Sequence, residues 1–252
     1  MIRVEHINKR FKKLNALVDV SAQFEKGQVV SLIGPNGSGK TTLIKCILGM
    51  VRSTSGKIFV DGQLINGDPS YRAKIGYMPQ IGRYPDNMKV GQLFSMMKNI
   101  RNVADDDLDN DLIVNFNLVS LFDKSMRTLS GGTRQKVSAA LAFYFHSDIL
   151  ILDEPTAGLD PLSSEILKEK IIAEKKRNKL ILITSHILSE LDELTTHVVY
   201  LQEGRVQFFK GIEALREETG ELKLGKAVAQ IMKGDLNDNW VNDLFDPKNE
   251  KP

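Results

Sequence analysis

The chain has 252 residues, of which 42% are hydrophobic and 26% charged, a composition typical of a globular protein with a substantial buried core. Its 34 lysines and arginines nearly balance 32 aspartates and glutamates, which argues against the strongly basic footprint of a nucleic-acid-binding protein. The single cysteine, Cys46, excludes an internal disulfide, and in its apolar run LIKCILGM we expect a packed core residue. No apolar stretch reaches about eighteen residues, so we expect no membrane span.

The N-terminal part of the chain alternates apolar and polar residues in three segments separated by glycine-containing turns. Alternation with a period of two is typical of strands that bury one face. The sequence therefore predicts a small antiparallel sheet formed by IRVEHINKRF, ALVDVSAQFEKG and GKIFVDGQLI.

Three other apolar runs do not alternate: VVSLIG (29–34), DILILDE (148–154) and KLILITSH (179–186). Such short runs of Ile, Leu and Val are typical of strands buried on both faces of a parallel sheet. Ligands of open α/β sheets bind beyond the carboxyl ends of the strands, so the residues that end these runs are expected to converge on one site. They are Gly34, Asp153, Glu154 and His186.

The stretch GPNGSGKTT (34–42) matches the pattern G-x-x-x-x-G-K-[ST] between a predicted strand and a predicted helix. Its glycines let backbone N–H groups wrap phosphate oxygens, and the positive end of the following helix faces them. Lys40 supplies a charge for the β- and γ-phosphates, and the Thr41 hydroxyl is placed to ligate Mg²⁺. The alternative is a glycine-rich turn without a ligand. The predicted nucleotide-binding residues here are Gly34, Pro35, Asn36, Gly37, Ser38, Gly39, Lys40, Thr41 and Thr42.

Two acids, Asp153 and Glu154, follow the buried run in ILILDEP. A carboxylate at the end of a buried strand can hold the Mg²⁺ shell, usually through water, and we assign this role to Asp153. Glu154 is placed to polarise a water molecule for attack on the γ-phosphate. The alternative is a pair of acids that merely begins a loop before Pro155.

Between about residues 86 and 146 the pattern becomes helical, in VGQLFSMMKNI, DLIVNFNLVSLF and GTRQKVSAALAFYF. We predict a helical subdomain inserted between two strands of the core sheet, with the Asp-rich patch at 105–111 as a solvated loop. Within it, LSGGTRQKV (129–137) opens a helix with a hydroxyl and two glycines, an arrangement that suits an anion. The alternative is an N-capped helix without a ligand.

The last third of the chain adds two predicted helices. SSEILKEKIIAEKKRNK (163–179) predicts an amphipathic helix with a solvated face and a basic C-terminal end, which we prefer to a nucleic-acid patch. After Gly220, ELKLGKAVAQIMKG predicts a short helix and DPKNEKP a flexible end. We therefore predict one domain over residues 1–220, with the helical subdomain inserted in its core, and a C-terminal helical extension with a flexible tail over 221–252.

Five motifs occur in the order found in the ATP-binding subunits of ABC transporters, and the chain resembles this family from about Arg3 to Glu217. They are GPNGSGKTT, Gln80 in IGYMPQ, LSGGTRQKV, ILILDEP followed by AGLD (157–160), and His186. The resemblance implies a P-loop NTPase fold of the α/β class: a mainly parallel core sheet, an N-terminal antiparallel β-subdomain and a helical subdomain. It also implies an ATPase coupled to transport that uses ATP and Mg²⁺.

The resemblance implies a head-to-tail homodimer, in which the LSGG segment of one subunit completes the phosphate loop of the other. Ser130, Gly131 and Gly132 would contact the partner's nucleotide, and Asp160 would cross the dimer interface. This arrangement would explain why one chain carries two predicted anion sites of different design.

The resemblance also implies roles within one subunit. Phe11 would stack on adenine, although taken alone it could equally be a core residue. Gln80 would reach the Mg²⁺ or the attacking water, and His186 would hydrogen-bond the γ-phosphate. The implied catalytic residues are Glu154, His186, Lys40 and Gln80. The implied Mg²⁺ residues are Thr41, Gln80 and Asp153.

The family implies a polytopic ABC-2-type membrane subunit, a cytoplasmic position on the inner face of the cell membrane, and no nucleic-acid partner. Thr133, where the family commonly has glutamine, and AGLDPLSSEILKEKI are similar to the ATPase of the nitrous-oxide reductase maturation transporter. That branch would support assembly of a copper enzyme and add an extracytoplasmic maturation protein as a partner. The alternatives are a general ABC-2-type exporter ATPase, a soluble ABC protein acting on ribosomes or DNA, and a different P-loop enzyme such as a small-molecule kinase.

Overall fold

The computed structural model describes residues 1–185 and 187–232. The strands are β1 (Ile2–Phe11), β2 (Leu14–Phe24), β3 (Val29–Ile33), β4 (Ser55–Val60), β5 (Gln63–Leu64), β6 (Ile75–Met78), β7 (Ile149–Asp153), β8 (Leu180–Thr184), β9 (His197–Gln202) and β10 (Arg205–Gly211). The helices are α1 (Lys40–Ile47), α2 (Val90–Arg101), α3 (Asp111–Asn115), α4 (Gly131–Phe143), α5 (Pro161–Lys176) and α6 (Ile212–Thr219). A further helical stretch covers residues 224–232.

The central sheet has the strand order β10-β9-β3-β8-β7-β6. Every pair is parallel except β9 with β10, so the predicted mainly parallel core sheet is confirmed. The three non-alternating runs form β3, β7 and β8, and all residues of these strands are buried. The sequence did not predict β6, β9 or β10, because β6 is short and contains a glycine and β10 buries only Phe208.

The N-terminal segments form a separate antiparallel sheet in the order β2-β1-β4-β5, as predicted. This sheet and α1 cover one face of the central sheet, while the helical region covers the other. Alternate residues of β3 therefore enter different cores: Val29 and Ile33 on the helical side, Val30 and Leu32 on the other. Cys46 is buried in α1, and burial raises the pKa of its thiol, so the prediction of a packed core residue is confirmed.

The helices α2, α3 and α4 lie between β6 and β7 in the chain. The predicted helices over VGQLFSMMKNI and GTRQKVSAALAFYF are present as α2 and α4. The helical segment predicted over DLIVNFNLVSLF is interrupted in the structure. It ends at Asn115, and Asn117 has a left-handed backbone (φ 52) that starts a short 3-10 turn over Leu118–Leu121. Asparagine tolerates this conformation better than most residues, and it breaks the helical path.

The prediction of a solvated loop over the whole Asp-rich patch is also wrong. Asp105–Asp107 are exposed, but only 6% of Asp109 is exposed, and its Oδ2 accepts a hydrogen bond from Nζ of Lys170 at 2.5 Å. Asp111 at the start of α3 bonds the same ammonium at 2.6 Å. Lys170 belongs to α5, so this contact joins the helical region to the core.

The predicted solvated face of α5 needs the same correction. The helix begins at Pro161, after the Asp160 cap, and ends at Lys176. Its Lys170 and Glu174 are buried, and the Glu174 carboxylate also pairs with Lys179 and with Nη1 of Arg177 at 2.8 Å. Burial alone would raise the pKa of Glu174, but the Lys179 hydrogen bond and the Lys170 charge outweigh it and lower the pKa. The predicted basic C-terminal end of α5 is present. The buried charges of Lys170 and Glu174 were not predicted.

The predicted C-terminal extension begins after Gly220, whose left-handed backbone (φ 69) ends α6. Residues 224–232 are helical and bury Leu224, Ala227 and Val228, while the backbone N–H of Leu224 donates to Asp192 at 2.6 Å. The predicted flexible end, DPKNEKP, lies outside the described residues. None of the helices described here is long and apolar enough to cross a membrane.

The buried charge cluster predicts a large effect of Lys170→Met. The change leaves the Asp109 and Glu174 carboxylates buried without their shared cation, and we expect the free energy of unfolding to fall by about 3–5 kcal/mol. The matched control is Lys176→Met on the same helix, where the lysine is exposed and the expected change is within about 0.5 kcal/mol. Urea denaturation measures both. Equal effects of the two substitutions would contradict the role of the cluster.

Candidate functional site

The glycine-rich loop between β3 and α1 approaches the neighbouring backbone closely. Gly34 and Gly39 both have a left-handed φ, 144° and 106° respectively. A Cβ at Gly34 would lie 2.0 Å from the carbonyl oxygen of Leu201, and one at Gly39 would lie 2.6 Å from that of Ala16. Any side chain at either position would displace the loop, so its shape depends on glycine.

The same loop contains a polar group without a partner. The hydroxyl of Ser38 is buried and has no hydrogen-bond partner among the described residues. Buried hydroxyls are almost always satisfied, by protein, water or ligand. The first backbone N–H groups of α1 lack partners within the helix and lie next to this hydroxyl in the chain. Together they suit the binding of an anionic oxygen.

Lys40, the first residue of α1, bends back over the loop. Its Nζ donates to the carbonyl oxygens of Gly34 at 2.7 Å and Pro35 at 2.9 Å. Burial lowers the pKa of its ammonium, and the nearby Glu154 and Asp153 carboxylates partly offset this shift. The ammonium is therefore held beside the loop by neutral acceptors, which an anion could replace.

The two acids at the end of β7 are organised by Thr184, the last residue of β8. The strands are in register at Asp153 and Thr184. The Thr184 hydroxyl donates to Oδ1 of Asp153 at 2.5 Å and accepts from the backbone N–H of Glu154 at 3.0 Å. Burial raises the pKa of Asp153, and the Thr184 hydrogen bond partly opposes this. Glu154 itself has a left-handed backbone, with φ 55.

Thr184 is not among the site residues predicted from the sequence. The signal was present in KLILITSH, where a hydroxyl side chain ends a fully apolar run, but its partners lie about thirty residues away in the chain. Only the strand register shows that it faces the acid pair.

A cavity of about 320 Å³ brings most of the predicted site residues together. It lies over the glycine-rich loop and the acid pair. Phe11 at its edge is 44% exposed, so the alternative of a core residue is wrong. The predicted residues that line it are Phe11, Asn36, Gly37, Ser38, Gly39, Lys40, Thr41, Thr42, Gln80, Asp153 and Glu154. Gly34 and Pro35 begin the same loop, and His186 lies outside the described residues.

The LSGG segment lies apart from this cavity, and none of its residues lines it. Ser130 caps α4, its hydroxyl accepting the N–H of Thr133 at 3.2 Å, and the cap and Gly131 are exposed. A Cβ at Gly131 would meet nothing within 4 Å, whereas one at Gly132 would lie 2.7 Å from the carbonyl oxygen of Gly158. Gly131 therefore leaves open space in front of the helix, and Gly132 packs on the AGLD loop.

Asp160 joins the AGLD loop to two helices. Its carboxylate accepts the N–H of Ser163 at 2.9 Å, which caps α5, and pairs with Nζ of Lys136 in α4 at 2.7 Å. The hydrogen bond from Lys136 and those from Ser163 hold the pKa of Asp160 well below its usual range. Asp160 is exposed and ionised, and within one chain it fixes the LSGG helix to the loop.

The residues suited to a divalent cation are few. Thr41, Gln80 and Asp153 line the same cavity and offer hydroxyl, amide and carboxylate oxygens, which Mg²⁺ prefers. Over residues 1–185 and 187–232, no group of three or more His, Cys, Asp or Glu side chains is placed to hold a metal. The donor set fits Mg²⁺ that also binds a phosphate ligand rather than an all-protein metal centre.

A second, more apolar cavity of about 850 Å³ begins at Gln80 and runs between the central sheet and the helical region. Tyr77, Tyr84 and Phe145 contribute rings to its walls. Two apolar side chains at its edge are largely exposed: Ile81 at 68% and Met50 at 58%. An exposed apolar groove of this size is typical of a surface that binds another protein.

Residues 17–157 match the model of the ABC transporter family. The chain is 31% identical to a Streptococcus pyogenes lantibiotic transport ATP-binding protein, SrtF, over 86% of this chain and 95% of that protein. A solved structure of an ATP-binding subunit of an ABC transporter superposes with a TM-score of 0.86, at 26% identity, and covers 92% of this chain and 99% of that one. A dimeric ATP-binding cassette, MJ0796, bound to ADP and Pi, shares the fold at 20% identity and a TM-score of 0.74, over 84% and 98% of the two chains.

The contacts of Thr184 predict a pH-dependent effect of Thr184→Val. The variant removes the donor to the Asp153 carboxylate and one acceptor of the Glu154 N–H, and should lower the free energy of unfolding at neutral pH by about 1–3 kcal/mol. Because the lost bond favoured the ionised carboxylate, the deficit should shrink as pH falls through the pKa of Asp153. Urea denaturation across pH measures it, with Thr184→Ser as the control that keeps the hydroxyl. A deficit independent of pH would show that the bond to Asp153 is not its cause.

Proposed function

This chain belongs to the family of ATP-binding subunits of ABC transporters, and from that premise we propose that it binds and hydrolyses ATP to energise a separate membrane subunit. Two copies would pair head to tail and enclose two ATP molecules. The observation that carries the proposal is the cavity in which the glycine-rich loop, Gln80 and the acid pair meet. These groups come from three separate stretches of the chain, and each suits a different part of Mg²⁺-ATP.

The loop would bind the nucleotide phosphates through residues 34–42, with Ser38 and the N–H groups at the α1 start as donors. Lys40 would exchange its bonds to Gly34 and Pro35 for phosphate oxygens. Phe11 would stack on adenine at the exposed edge of the cavity. In this proposal Lys40 contacts the phosphates and Phe11 contacts the adenine. The two residues therefore set the orientation of ATP in the cavity.

Thr41, Gln80 and Asp153 would hold Mg²⁺, and the ion when bound would offset negative charge on the phosphates. Thr184 would keep the Asp153 carboxylate oriented toward it. Glu154 would accept the proton of the attacking water, because it lines the cavity beside Lys40 and its backbone is fixed by Thr184. Gln80 would orient that water. His186, outside the described residues, remains a predicted hydrogen-bond donor to the γ-phosphate.

The LSGG segment would serve the nucleotide of the second copy. Its separation from the cavity of its own chain and the open space in front of Gly131 support this assignment. Ser130 would then contact the partner's γ-phosphate, together with the N–H groups of Gly131 and Gly132 at the positive end of α4. Asp160 pairs with Lys136 of its own chain. From this position it would contact the second copy across the interface.

The apolar cavity beside Gln80 would bind a helix of a polytopic, ABC-2-type membrane subunit. Its position between sheet and helical region, and the exposed Ile81 and Met50 at its edge, support this. The chain would thus be held in the cytoplasm at the inner face of the membrane. In domain terms, residues 1–220 would form the ATPase domain, with a helical subdomain at about 86–146, and 221–252 the extension and tail.

Within the transporter ATPases, we favour the general ABC-2-type exporter. The sequence overlap with SrtF, a transport protein by name, supports a transport role over a soluble protein acting on ribosomes or DNA, or a small-molecule kinase. Maturation of nitrous-oxide reductase, a copper enzyme, remains a second candidate. It is favoured only by Thr133 and by AGLDPLSSEILKEKI.

The test of the proposed function is co-purification with Glu154→Gln. The variant should bind Mg²⁺-ATP but hydrolyse it about 10²–10⁴ times more slowly, because the general base is lost. Tagged Glu154→Gln is extracted from membranes in mild detergent with ATP and Mg²⁺, and its partners are identified by mass spectrometry. We expect a second copy and a polytopic membrane protein in stoichiometric amounts. Lys40→Ala, which removes the phosphate-binding charge, is the control that should not trap the dimer.

The same co-purification separates the candidates. An accompanying extracytoplasmic copper-protein maturation factor would support the nitrous-oxide branch. Its absence beside a membrane subunit would favour the general exporter. Ribosomes or DNA in place of a membrane protein would refute the transporter proposal.

Gly131→Asp tests the assignment of LSGG to the partner's site. The new side chain enters open space in the single chain, so the variant should fold and bind ATP with unchanged affinity. In the dimer its carboxylate would oppose the γ-phosphate, and ATP hydrolysis should fall by about 10²–10³-fold. ATP affinity of the isolated chain and steady-state hydrolysis measure the two effects, with Gly131→Ala as the uncharged control. Loss of ATP binding by the folded isolated chain would contradict the assignment.

A further inference from the structure

We propose that Tyr84 and Ser138 are positioning residues that couple the two ATP sites of the dimer. Their contact fastens the segment after Gln80, which belongs to one site, onto α4, whose start belongs to the other. The inference rests on the proposed function, because it requires that each chain contributes to both sites. Neither residue touches the nucleotide in this proposal.

The contact itself is a partly buried hydrogen bond. The Tyr84 hydroxyl donates to Oγ of Ser138 at 3.0 Å. Ser138 is completely buried, and the ring of Tyr84 packs against the core on the helical side of the sheet. Burial raises the pKa of Tyr84, and the Ser138 bond only partly opposes this, so the phenol stays protonated at neutral pH and remains a donor. The acceptor lies inside the core, where a hydrogen bond is stronger than one in water.

The backbone around Gly82 brings Tyr84 to this position. A Cβ at Gly82 would lie 2.7 Å from Cε2 of Tyr84 and 3.3 Å from Oγ of Ser138. The chain therefore folds back on itself between Gln80 and Tyr84, and the ring closes over the glycine. Because this packing has no spare room, a shift of Gln80 is passed to the ring and then to α4.

The contact lies between two places that the proposed function assigns to different nucleotides. Gln80, four residues before Tyr84, lines the cavity over the glycine-rich loop. Ser130 lies eight residues before Ser138, at the start of the same continuous helix, at a distance of about 12 Å along its axis. We expect a helix of this length to move as one body. Through Ser138, Tyr84 therefore connects Gln80, at one ATP, to Ser130, at the other ATP.

Tyr84 also lines the apolar cavity in which we place the membrane subunit. One side chain thus contacts the partner groove, the segment of Gln80 and the LSGG helix. A membrane helix in this groove would therefore press on the same contact that joins the two ATP sites. We infer that the groove communicates with both sites through this side chain.

The test is Tyr84→Phe in the full chain, purified with its membrane subunit. The variant keeps the ring and loses only the hydroxyl. Wild type should hydrolyse ATP with a Hill coefficient approaching the number of sites, about 2. Tyr84→Phe should lower the Hill coefficient to about 1. It should also lower kcat by about two- to tenfold, the change expected for one lost neutral hydrogen bond. The ATP affinity of the isolated chain should not change.

Two further variants make the test specific. Ser138→Ala removes the acceptor and should reproduce the effect, and the double variant should be no worse than either single one. Tyr144→Phe is the matched control: it makes the same chemical change at the end of α4, where the described residues offer its hydroxyl no hydrogen bond. It should leave the Hill coefficient at the wild-type value.

The outcomes separate the inference from the proposed function. A cooperative wild type with an equally cooperative Tyr84→Phe would overturn the coupling role alone. Additive effects in the double variant would overturn it as well, because the two residues would then act separately. A wild-type complex that neither dimerises with ATP nor hydrolyses it would refute the proposed function and this inference together.

Discussion

The in-register pairing of β8 with both of its neighbours is the constraint on which the site depends. Thr184 lies opposite Asp153 of β7 on one side and opposite Leu32 of β3 on the other. The acid pair and the glycine-rich loop are therefore placed two strands apart, at the same edge of the sheet. A slip of one residue between β8 and β7 would turn Thr184 away from the acid, and a slip between β8 and β3 would shift the acid pair relative to the loop. The chemistry of the cavity is thus set by backbone hydrogen bonds deep in the core.

The helical region is attached to that core by contacts of different kinds at its two ends. At one end, Asp109 meets Lys170 in a buried ion pair whose strength depends on exclusion of water. At the other, Gly132 lies against Gly158 by shape alone, and Lys136 pairs with the exposed Asp160. The buried end resists displacement, whereas exposed pairs are weak and can be exchanged. In the dimer that we propose, this arrangement leaves the LSGG end as the one that can adjust to the second copy.

The parts of the molecule that sequence predicted are those determined by neighbours in the chain. The buried strands, the glycine-rich loop and the Ser130 cap each follow from a few consecutive residues, and all are present in the structure. Lys170 and Thr184 were missed, because their partners lie far along the chain and only the fold brings them close. The charges of α5 predicted a solvated face, since no local pattern distinguishes a lysine that faces buried carboxylates from one that faces water. Short β6 and largely half-buried β10 gave only a weak apolar pattern.

The left-handed backbone of Glu154 affects the balance between stability and activity in this protein. A left-handed conformation at a residue with a side chain costs about 1–3 kcal/mol, and glycine would adopt it freely. The chain places a carboxylate there instead, directly after a strand whose register leaves no freedom to relax the turn. With Glu154 as the general base that we propose, selection for persistence of the fold and selection for turnover act in opposite directions at position 154. The most stable relative of this chain need not be the most active one.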